Sequence, residues 1–168
     1  IEFPTIEIVP PKSFHPLDQA IASLATYQYL IFTSRNGVAC FFKRLLLKGK
    51  DARALVNLKI AVIGPGTAEA LLNFGLKADF QANCDYSQEG LLKELSREDL
   101  TGKSILIPRA EKAREVLANR LRSAGAKRLV LAVVSASTTE SLSSALAAAA
   151  PLSEPTSSFR QTIDGRLP

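Results

Sequence analysis

A short cluster of small polar residues follows an apolar segment near the start of the chain, and it has the composition of an anion-binding turn. The apolar segment is Tyr29–Phe32, and the cluster contains Thr33, Ser34, Asn36 and Gly37. An apolar run that breaks at small residues and restarts with helical spacing predicts a buried strand, a turn and a helix. Such a turn presents hydroxyl groups and the free N–H groups of a helix N-terminus, which bind anions without basic side chains. The alternative for these residues is an ordinary helix N-cap and turn.

A second cluster of the same kind follows the apolar segment from 59 to 63. It contains Pro65, Gly66, Thr67 and Ala68. The hydroxyl of Thr67 is expected at the start of a helix beyond a strand, so Thr67 is the candidate catalytic residue and its three neighbours are candidate substrate-binding residues. A dinucleotide site is disfavoured because the glycines here lack the rest of the fingerprint that such sites need.

Three further side chains are candidates for binding an anionic substrate. Arg109 follows a predicted strand, so its guanidinium is expected at the carboxyl end of the sheet, where it could hold a carboxylate through two parallel hydrogen bonds. The alternative is a surface ion pair with Glu111 or Glu115. Arg114 lies one turn into the next helix, and Ser87 is placed to cap a helix or to contact a ligand.

Other classes of chemistry find little support in the chain. His15 is the single histidine, and no serine and aspartate accompany it in a triad-like arrangement. Cys40 and Cys84 do not have the spacing of metal ligands, so we predict reduced thiols and no metal. Tyr86 is either a phenol donor or a loop residue that packs against its neighbours.

Strands and helices are predicted to alternate through most of the chain, which favours a doubly wound parallel sheet with ligands bound at the carboxyl ends of its strands. The predicted strands are 29–32, 59–63, 78–81, 103–107 and 128–134, and the predicted helices are 17–24, 36–47, 67–74, 87–95 and 111–124.

Composition limits the partners of the protein. The 168 residues are 46% hydrophobic and 22% charged, which is ordinary for a globular protein in water. No apolar run approaches the roughly 18 residues of a membrane span, and the first residues do not resemble a signal peptide. The net charge of +5 suits an acidic small molecule. Nucleic acid is disfavoured, because the basic residues are dispersed and few aromatic residues are present to stack bases.

The chain is predicted to contain one complete domain and parts of a second. Residues 1–16 are predicted to form an extended segment and linker, 17–133 a continuous α/β domain, and 134–168 the remaining pieces of a discontinuous domain. The segment Ser135–Ala150 is rich in serine and alanine and is predicted to be helical. Sequence landmarks of the front half recur in this tail at a shorter spacing, which predicts a truncated or gapped piece of a longer two-domain repeat protein.

Five segments in register resemble the uroporphyrinogen-III synthase family. None of them is specific alone, but their order and spacing match from residue 1 to about 133. They are Pro4–Ile8, Ile31–Val38, Ile63–Ala68, Tyr86–Leu91 and Pro108–Glu111, the last followed by Arg114 and Glu115.

The resemblance implies two flavodoxin-like, doubly wound domains joined by two extended linkers, with the active site in the cleft between them and the second domain incomplete in this chain. It implies a carbon–oxygen lyase that cyclises hydroxymethylbilane to uroporphyrinogen III, with inversion of ring D and loss of water, on the route to heme, siroheme and cobalamin. It also implies a cytoplasmic monomer that needs no cofactor.

The chain departs from the family pattern in ways that keep alternatives open. The family's opening strand and helix and its second Gly-Pro-x-Thr turn have no counterpart, and Val134 stands where many members carry a tyrosine. One alternative is a non-catalytic, hinged two-domain module that binds an anion, or a degenerate homologue. Another is the synthase portion of a fusion with a second tetrapyrrole enzyme.

Overall fold

The protein is a layered α/β structure in which strands and helices alternate along the chain. The computed structural model describes residues 5–9, 11–82, 85–110 and 115–140. The strands are β1 (Thr5–Val9), β2 (Tyr29–Phe32), β3 (Lys59–Val62), β4 (Phe80–Gln81), β5 (Ser104–Ala110) and β6 (Arg128–Glu140). The helices are α1 (His15–Ala22), α2 (Arg35–Leu47), α3 (Pro65–Leu72), α4 (Gln88–Leu95) and α5 (Val116–Ser123), with short 3₁₀ turns at Leu24–Thr26 and Ala52–Leu55.

The strands form one sheet in the order β1-β6-β5-β2-β3-β4. The pairs β2–β3, β2–β5, β3–β4 and β5–β6 are all parallel. The chain builds the sheet outward from β2 through β3 to β4, and then returns to the other side of β2 with β5 and β6. The winding therefore reverses between β2 and β5, which confirms the doubly wound class and creates a crevice at the carboxyl ends of these two strands.

Helices cover both faces of the sheet, and each face has its own apolar core. On one face, Leu30 and Phe32 of β2 pack with residues of α1, α2 and α3. On the other face, Tyr29 and Ile31 pack with residues of α4 and α5. Successive side chains of a strand point to opposite faces, so a strand buried on both sides must be apolar throughout. All four residues of β2 are buried accordingly.

Serine caps define the starts of two helices, a role that the sequence predicts for Ser87 and offers as the alternative for Ser34. The Ser34 hydroxyl accepts a hydrogen bond from the Gly37 N–H at 3.1 Å, and the Ser87 hydroxyl accepts one from the Gly90 N–H at 3.1 Å. A side-chain oxygen at this position satisfies one of the free N–H groups of the first turn. Gly64 precedes α3 with φ of 76°, a conformation that glycine adopts without a steric penalty.

Several predicted boundaries are wrong. α1 begins at His15 instead of residue 17, and β5 continues to Ala110, so Arg109 lies within the strand. The prediction of a helix from Ser135 is wrong at least as far as Glu140, because β6 continues without a break through these residues. Pairing with β5 at Ala110 and Ser135, a non-local interaction, prevails over the local preference of serine and alanine.

The chain divides into two compact units. One comprises residues 7–138 and contains the described helices, and the other comprises residues 1–6 with 139–168. The predicted boundaries at 16/17 and 133/134 stay predictions, and the tail beyond Glu140 lies outside the described residues. Among the residues that the structure describes, no helix combines the length and the apolarity that a membrane span requires.

Candidate functional site

A small recess opens at the carboxyl ends of β2 and β5, where the winding of the sheet reverses. We call it the switch-point recess, and its volume is about 230 Å³ including the open mouth. Its lining combines three polar side chains with an apolar floor, namely Thr33, Gln88 and Arg109 with Ile107, Leu117, Ala118 and Leu131. Ligands of doubly wound sheets bind at this place, so the recess is the candidate site.

Strand register explains why Thr33 and Arg109 line the same recess. Tyr29 pairs with Ile105 and Leu30 with Leu106 across β2 and β5. Continuing this register beyond the end of β2 places Thr33 beside Arg109. Both residues also share the face of the sheet that α4 and α5 cover, because side chains alternate along a strand. Two predicted site residues are thus brought together by the sheet.

Arg109 carries a buried positive charge. Its side chain is 10% exposed, and its Nη2 lies 3.7 Å from Oε1 of Glu115, whose side chain is 62% exposed. This separation is longer than a hydrogen bond, so the ion pair is weak. Glu111, the other partner considered, lies outside the described residues. A buried guanidinium with only a distant, exposed carboxylate nearby among the described residues is suited to an anionic ligand.

The first turn of α2 connects the recess with the second predicted cluster. A Cβ atom on Gly37 would lie 3.2 Å from the carbonyl oxygen of Pro108, so α2 packs closely against the end of β5. Ser34 caps this turn, while Asn36 is exposed beside it. Ser34 and Gly37 therefore have structural roles here, and their N–H and hydroxyl groups lie at the same edge of the sheet as the recess.

The second predicted cluster lies at the start of α3, beside α2. Pro65 is exposed, Gly66 and Ala68 are half-buried, and Thr67 is buried with 6% of its surface exposed. α3 begins at Pro65, so Thr67 lies within the first turn and is not its cap. The described contacts do not place these four residues in the switch-point recess. Gly66 lies instead against Arg35, because a Cβ atom on Gly66 would be 3.2 Å from the Arg35 Nε.

The prediction missed two side chains at this edge, Gln88 and Arg35. Gln88 is the first residue of α4, and its Oε1 accepts a hydrogen bond from the Leu117 N–H in the first turn of α5 at 2.9 Å. Arg35 is the first residue of α2. Each residue directly follows a serine that caps its helix. A residue in this position lies at the rim of the helix N-terminus, so the serine before it could have indicated both side chains from the sequence.

Three predicted residues remain, namely Ser87, Tyr86 and Arg114. Ser87 caps α4 next to Gln88. Tyr86 is 57% exposed and lies against Gly64, where a Cβ atom would be 3.6 Å from that of Tyr86. Arg114 lies outside the described residues, so its role stays a prediction.

A bulge in β6 lies directly beside Arg109. Arg109 pairs with Val133 and Ala110 pairs with Ser135, so Val134 is the extra residue between them. Val134 is buried, with 3% of its surface exposed. Bulges bend a strand and redirect its side chains, and they occur often beside active sites. Val134 is therefore an apolar, buried bulge residue beside the recess.

A separate polar cluster lies at the opposite, amino-terminal edge of the sheet. The Tyr29 hydroxyl donates to Oε2 of Glu98 at 2.8 Å, and the same oxygen lies 2.6 Å from the Lys59 Nζ. Burial, together with the hydrogen bond to Glu98, raises the pKa of Tyr29 to about 12. Tyr29 therefore stays protonated at neutral pH, and this cluster connects strand ends far from the recess.

The chemistry of the candidate site is that of anion binding and positioning. It offers a buried guanidinium, an amide, hydroxyl groups and the N-terminal turns of neighbouring helices. Within the described part of the chain, no group of three or more histidine, cysteine, aspartate or glutamate side chains is placed to hold a metal ion.

Comparison with known proteins points to one family. The sequence pattern described as uroporphyrinogen-III synthase HemD matches residues 1–154. The chain is 39% identical to a uroporphyrinogen-III synthase of Synechococcus elongatus over 127 residues, which are 75% of this chain and 47% of that protein. It is 42% identical to a porphyrin biosynthesis protein HemD of Ruminiclostridium josui over 80 residues, which are 48% of this chain and 16% of that protein.

Comparison of the structure with solved structures finds proteins of the same name. A crystal structure of uroporphyrinogen III synthase from the extremely thermophilic bacterium Thermus thermophilus matches 82% of this chain and 51% of its own chain, with a TM-score of 0.65 and 20% identity. Identity at this level supports a common fold only. The chain spans about half the length of the Synechococcus relative, at 47%. Because the family pattern covers residues 1–154 of 168, the chain belongs to the uroporphyrinogen-III synthase family.

Proposed function

We propose that the protein is a uroporphyrinogen-III synthase that cyclises hydroxymethylbilane. The reaction closes the linear tetrapyrrole, inverts ring D and releases one molecule of water, so the enzyme is a carbon–oxygen lyase. Membership of the family supports the reaction. The buried guanidinium of Arg109 at the topological switch point supports a substrate-binding site there. The substrate has eight carboxylates, and a guanidinium binds a carboxylate well.

The chemistry demands positioning more than acid–base power. Loss of the hydroxyl group from the hydroxymethyl carbon, driven by the electron-rich pyrrole, leaves an azafulvene. Attack on that carbon by the substituted carbon of ring D gives a spiro intermediate. The bond between this ring carbon and the bridging carbon to ring C then breaks, and the bridging carbon bonds to the unsubstituted α-carbon of ring D. That α-carbon loses its proton, which converts the departed hydroxide to water. A site that holds the carboxylates fixes which ring carbon meets the azafulvene, and such control of geometry can account for much of a rate enhancement.

The residues have separate tasks in this proposal. Arg109 and Thr33 hold one carboxylate in the switch-point recess. In the first turn of α2, Ser34 and Asn36 offer hydroxyl and N–H groups to further carboxylates, and Gly66 and Thr67 do so in the first turn of α3. Pro65, which has no N–H group, and Gly37 and Ala68, whose N–H groups bond to Ser34 and Gly64, line the same turns. The hydroxyl of Thr67 orients the leaving hydroxyl group. Ser87 and Arg114 extend the same binding surface. We further propose a cytoplasmic monomer that works without metal or organic cofactor.

The isomer of the product tests the proposal. The full-length protein is incubated with hydroxymethylbilane in the absence of added metal or nucleotide, and the oxidised products are separated by isomer. Without an enzyme the bilane closes spontaneously to the type I isomer, so we expect type III only when the protein is active. Pure type I product would overturn the proposal and favour a non-catalytic anion-binding module.

The substitution Arg109→Lys tests the assignment of the recess. Lysine keeps the charge but loses the planar pair of donors, so KM should rise more than kcat falls. Glu115→Gln is the matched control, because it removes the one ion-pair partner described for Arg109 without changing the guanidinium. An unchanged KM in Arg109→Lys would assign Arg109 to the ion pair instead.

A further inference from the structure

We propose that Gln88 determines specificity in the switch-point recess by selecting a carboxylate on a short aliphatic arm. The inference rests on the proposed function, because it assigns a subsite to one acetate or propionate arm of the polycarboxylate substrate. It goes further by assigning a role to Gln88, which lies between the first turns of α4 and α5.

The hydrogen bond to α5 determines which end of the Gln88 amide is free. Its Oε1 accepts from the Leu117 N–H at 2.9 Å. A backbone N–H can only donate, so the oxygen must face Leu117 and the amide cannot be reversed. The atom left for a ligand is Nε2, which carries two N–H donors. No acceptor for them occurs among the described residues, and the side chain lines the recess. Gln88 is therefore a donor toward any molecule that enters.

The rest of the recess agrees with this polarity. The guanidinium of Arg109 can only donate, and Thr33 adds a hydroxyl that can do so. No carboxylate side chain is part of the lining that the described residues form, and Glu115 lies 3.7 Å from the guanidinium on the exposed side. As far as the described residues form it, the lining has a cation and several donors but no anion, so it is complementary to a carboxylate.

The apolar floor and the size of the recess indicate which carboxylate. Ile107, Leu117 and Leu131 provide a surface for methylene groups beneath the polar rim. Most of the 230 Å³ is the open mouth, and the enclosed part of the recess has room for about one water-sized group. The recess therefore admits only the end of one side arm, while the remainder of the ligand lies outside it.

The substitution Gln88→Glu separates this role from a structural one. The glutamate keeps an oxygen for the Leu117 N–H, and its charge is favourable at the start of a helix, so the fold and the melting temperature should be preserved. It removes the N–H donors and places an anion beside Arg109. We expect KM for hydroxymethylbilane to rise about tenfold or more, with a smaller change in kcat.

Gln28→Glu is the matched control. The Gln28 Oε1 accepts from the Ser104 N–H at 2.8 Å, which is the same type of bond at the opposite edge of the sheet. We expect this variant to retain the wild-type KM. An unchanged KM in folded Gln88→Glu, or an equal rise in Gln28→Glu, would overturn the inference.

A binding measurement keeps the inference independent of turnover. We expect sodium propionate to shift the side-chain NH2 signal of Gln88 in ¹⁵N-correlated NMR spectra of the full chain, and propionamide at equal concentration to leave it unchanged. If propionate acts in this way but the protein forms only the type I isomer, the carboxylate subsite stands and the proposed function fails. If the protein forms type III and propionate leaves the Gln88 signal unchanged, the inference fails and the function stands.

Discussion

The guanidinium of Arg35 lies on the backbone of Gly66, so that a Cβ atom on Gly66 would be 3.2 Å from the Arg35 Nε and 3.4 Å from its Cζ. The contact joins the first turn of α2 to the first turn of α3, and it places a positive charge beside two helix N-termini. Such a position is electrostatically unfavourable until an anion binds there. Because Gly66 has no side chain, the Arg35 guanidinium can approach its backbone this closely.

The substitution Gly66→Ala should displace Arg35 without harming the fold. The neighbouring atoms belong to the end of a flexible side chain, and alanine is favoured over glycine within a helix by up to about 1 kcal/mol. We expect an unchanged or slightly higher free energy of unfolding in urea, together with a higher KM for hydroxymethylbilane. The variant should add nothing in an Arg35→Ala background, because the two changes act through one contact. Additive effects on KM would contradict this coupling.

The substitution Gly37→Ala should have the opposite effect on stability. Its Cβ atom would meet the Pro108 carbonyl oxygen at 3.2 Å, and this atom belongs to the backbone of β5, which cannot move aside cheaply. We expect the free energy of unfolding to fall by about 1–2 kcal/mol, since overpacking outweighs the better helix propensity of alanine. Urea unfolding of the two glycine variants side by side measures the difference. If Gly37→Ala is as stable as Gly66→Ala, the backbone at the end of β5 moves to accommodate the added methyl group, and the prediction is wrong.

The substitutions Thr67→Val and Thr67→Ser separate the hydroxyl of Thr67 from its packing. Valine keeps the branched shape in this buried position, which is 6% exposed, but lacks the hydroxyl. If the hydroxyl orients the leaving group, kcat should fall about tenfold or more in Thr67→Val and recover in Thr67→Ser. Steady-state kinetics at a temperature where both variants remain folded measure the effect. Full activity of Thr67→Val would remove Thr67 from the site.

Stability in acid should depend on Asp18. The Arg44 Nε donates to this carboxylate at 2.8 Å and the Lys48 Nζ lies 3.0 Å from it. The hydrogen bond from Arg44, helped by Lys48, holds the pKa of Asp18 below its usual value against the opposing effect of burial. The folded state therefore gains stability that is fully present above the ordinary carboxyl pKa of about 4 and is lost as the pH falls through the lower folded pKa.

The substitution Asp18→Asn should accordingly flatten the dependence of stability on pH below about 4. Urea unfolding at a series of pH values from neutral to acidic measures the slope. Asp51→Asn is the control, because the pKa of Asp51 is also lowered, mainly by its hydrogen bond to Arg53, but that partner is two residues away and its side chain is largely exposed. A short-range pair persists more readily in the unfolded chain, so its effect on the slope should be smaller. Equal slopes in Asp18→Asn and wild type would contradict the assignment.

The sequence by itself determined the local elements and their caps. Tyr29–Phe32 is apolar enough to be buried on both faces, and Ser34 and Ser87 cap helices at the predicted positions. These features depend on residues within one turn or one strand of each other, so the pattern of types along the chain is sufficient to indicate them. The family was indicated in the same way, by five segments in register, and the comparisons confirmed it.

Tertiary structure alone decided which candidates meet. Thr33 and Arg109 share a recess because β5 returns to the free side of β2, and Gln88 joins them because its amide bonds to the start of α5. Pairing with β5 likewise draws Ser135 into a strand where local composition favours a helix. Strand order and register arise from burying the faces of several elements at once, and the resulting contacts join residues far apart in sequence. No local pattern encodes such contacts, so spacing along the chain could not reveal them.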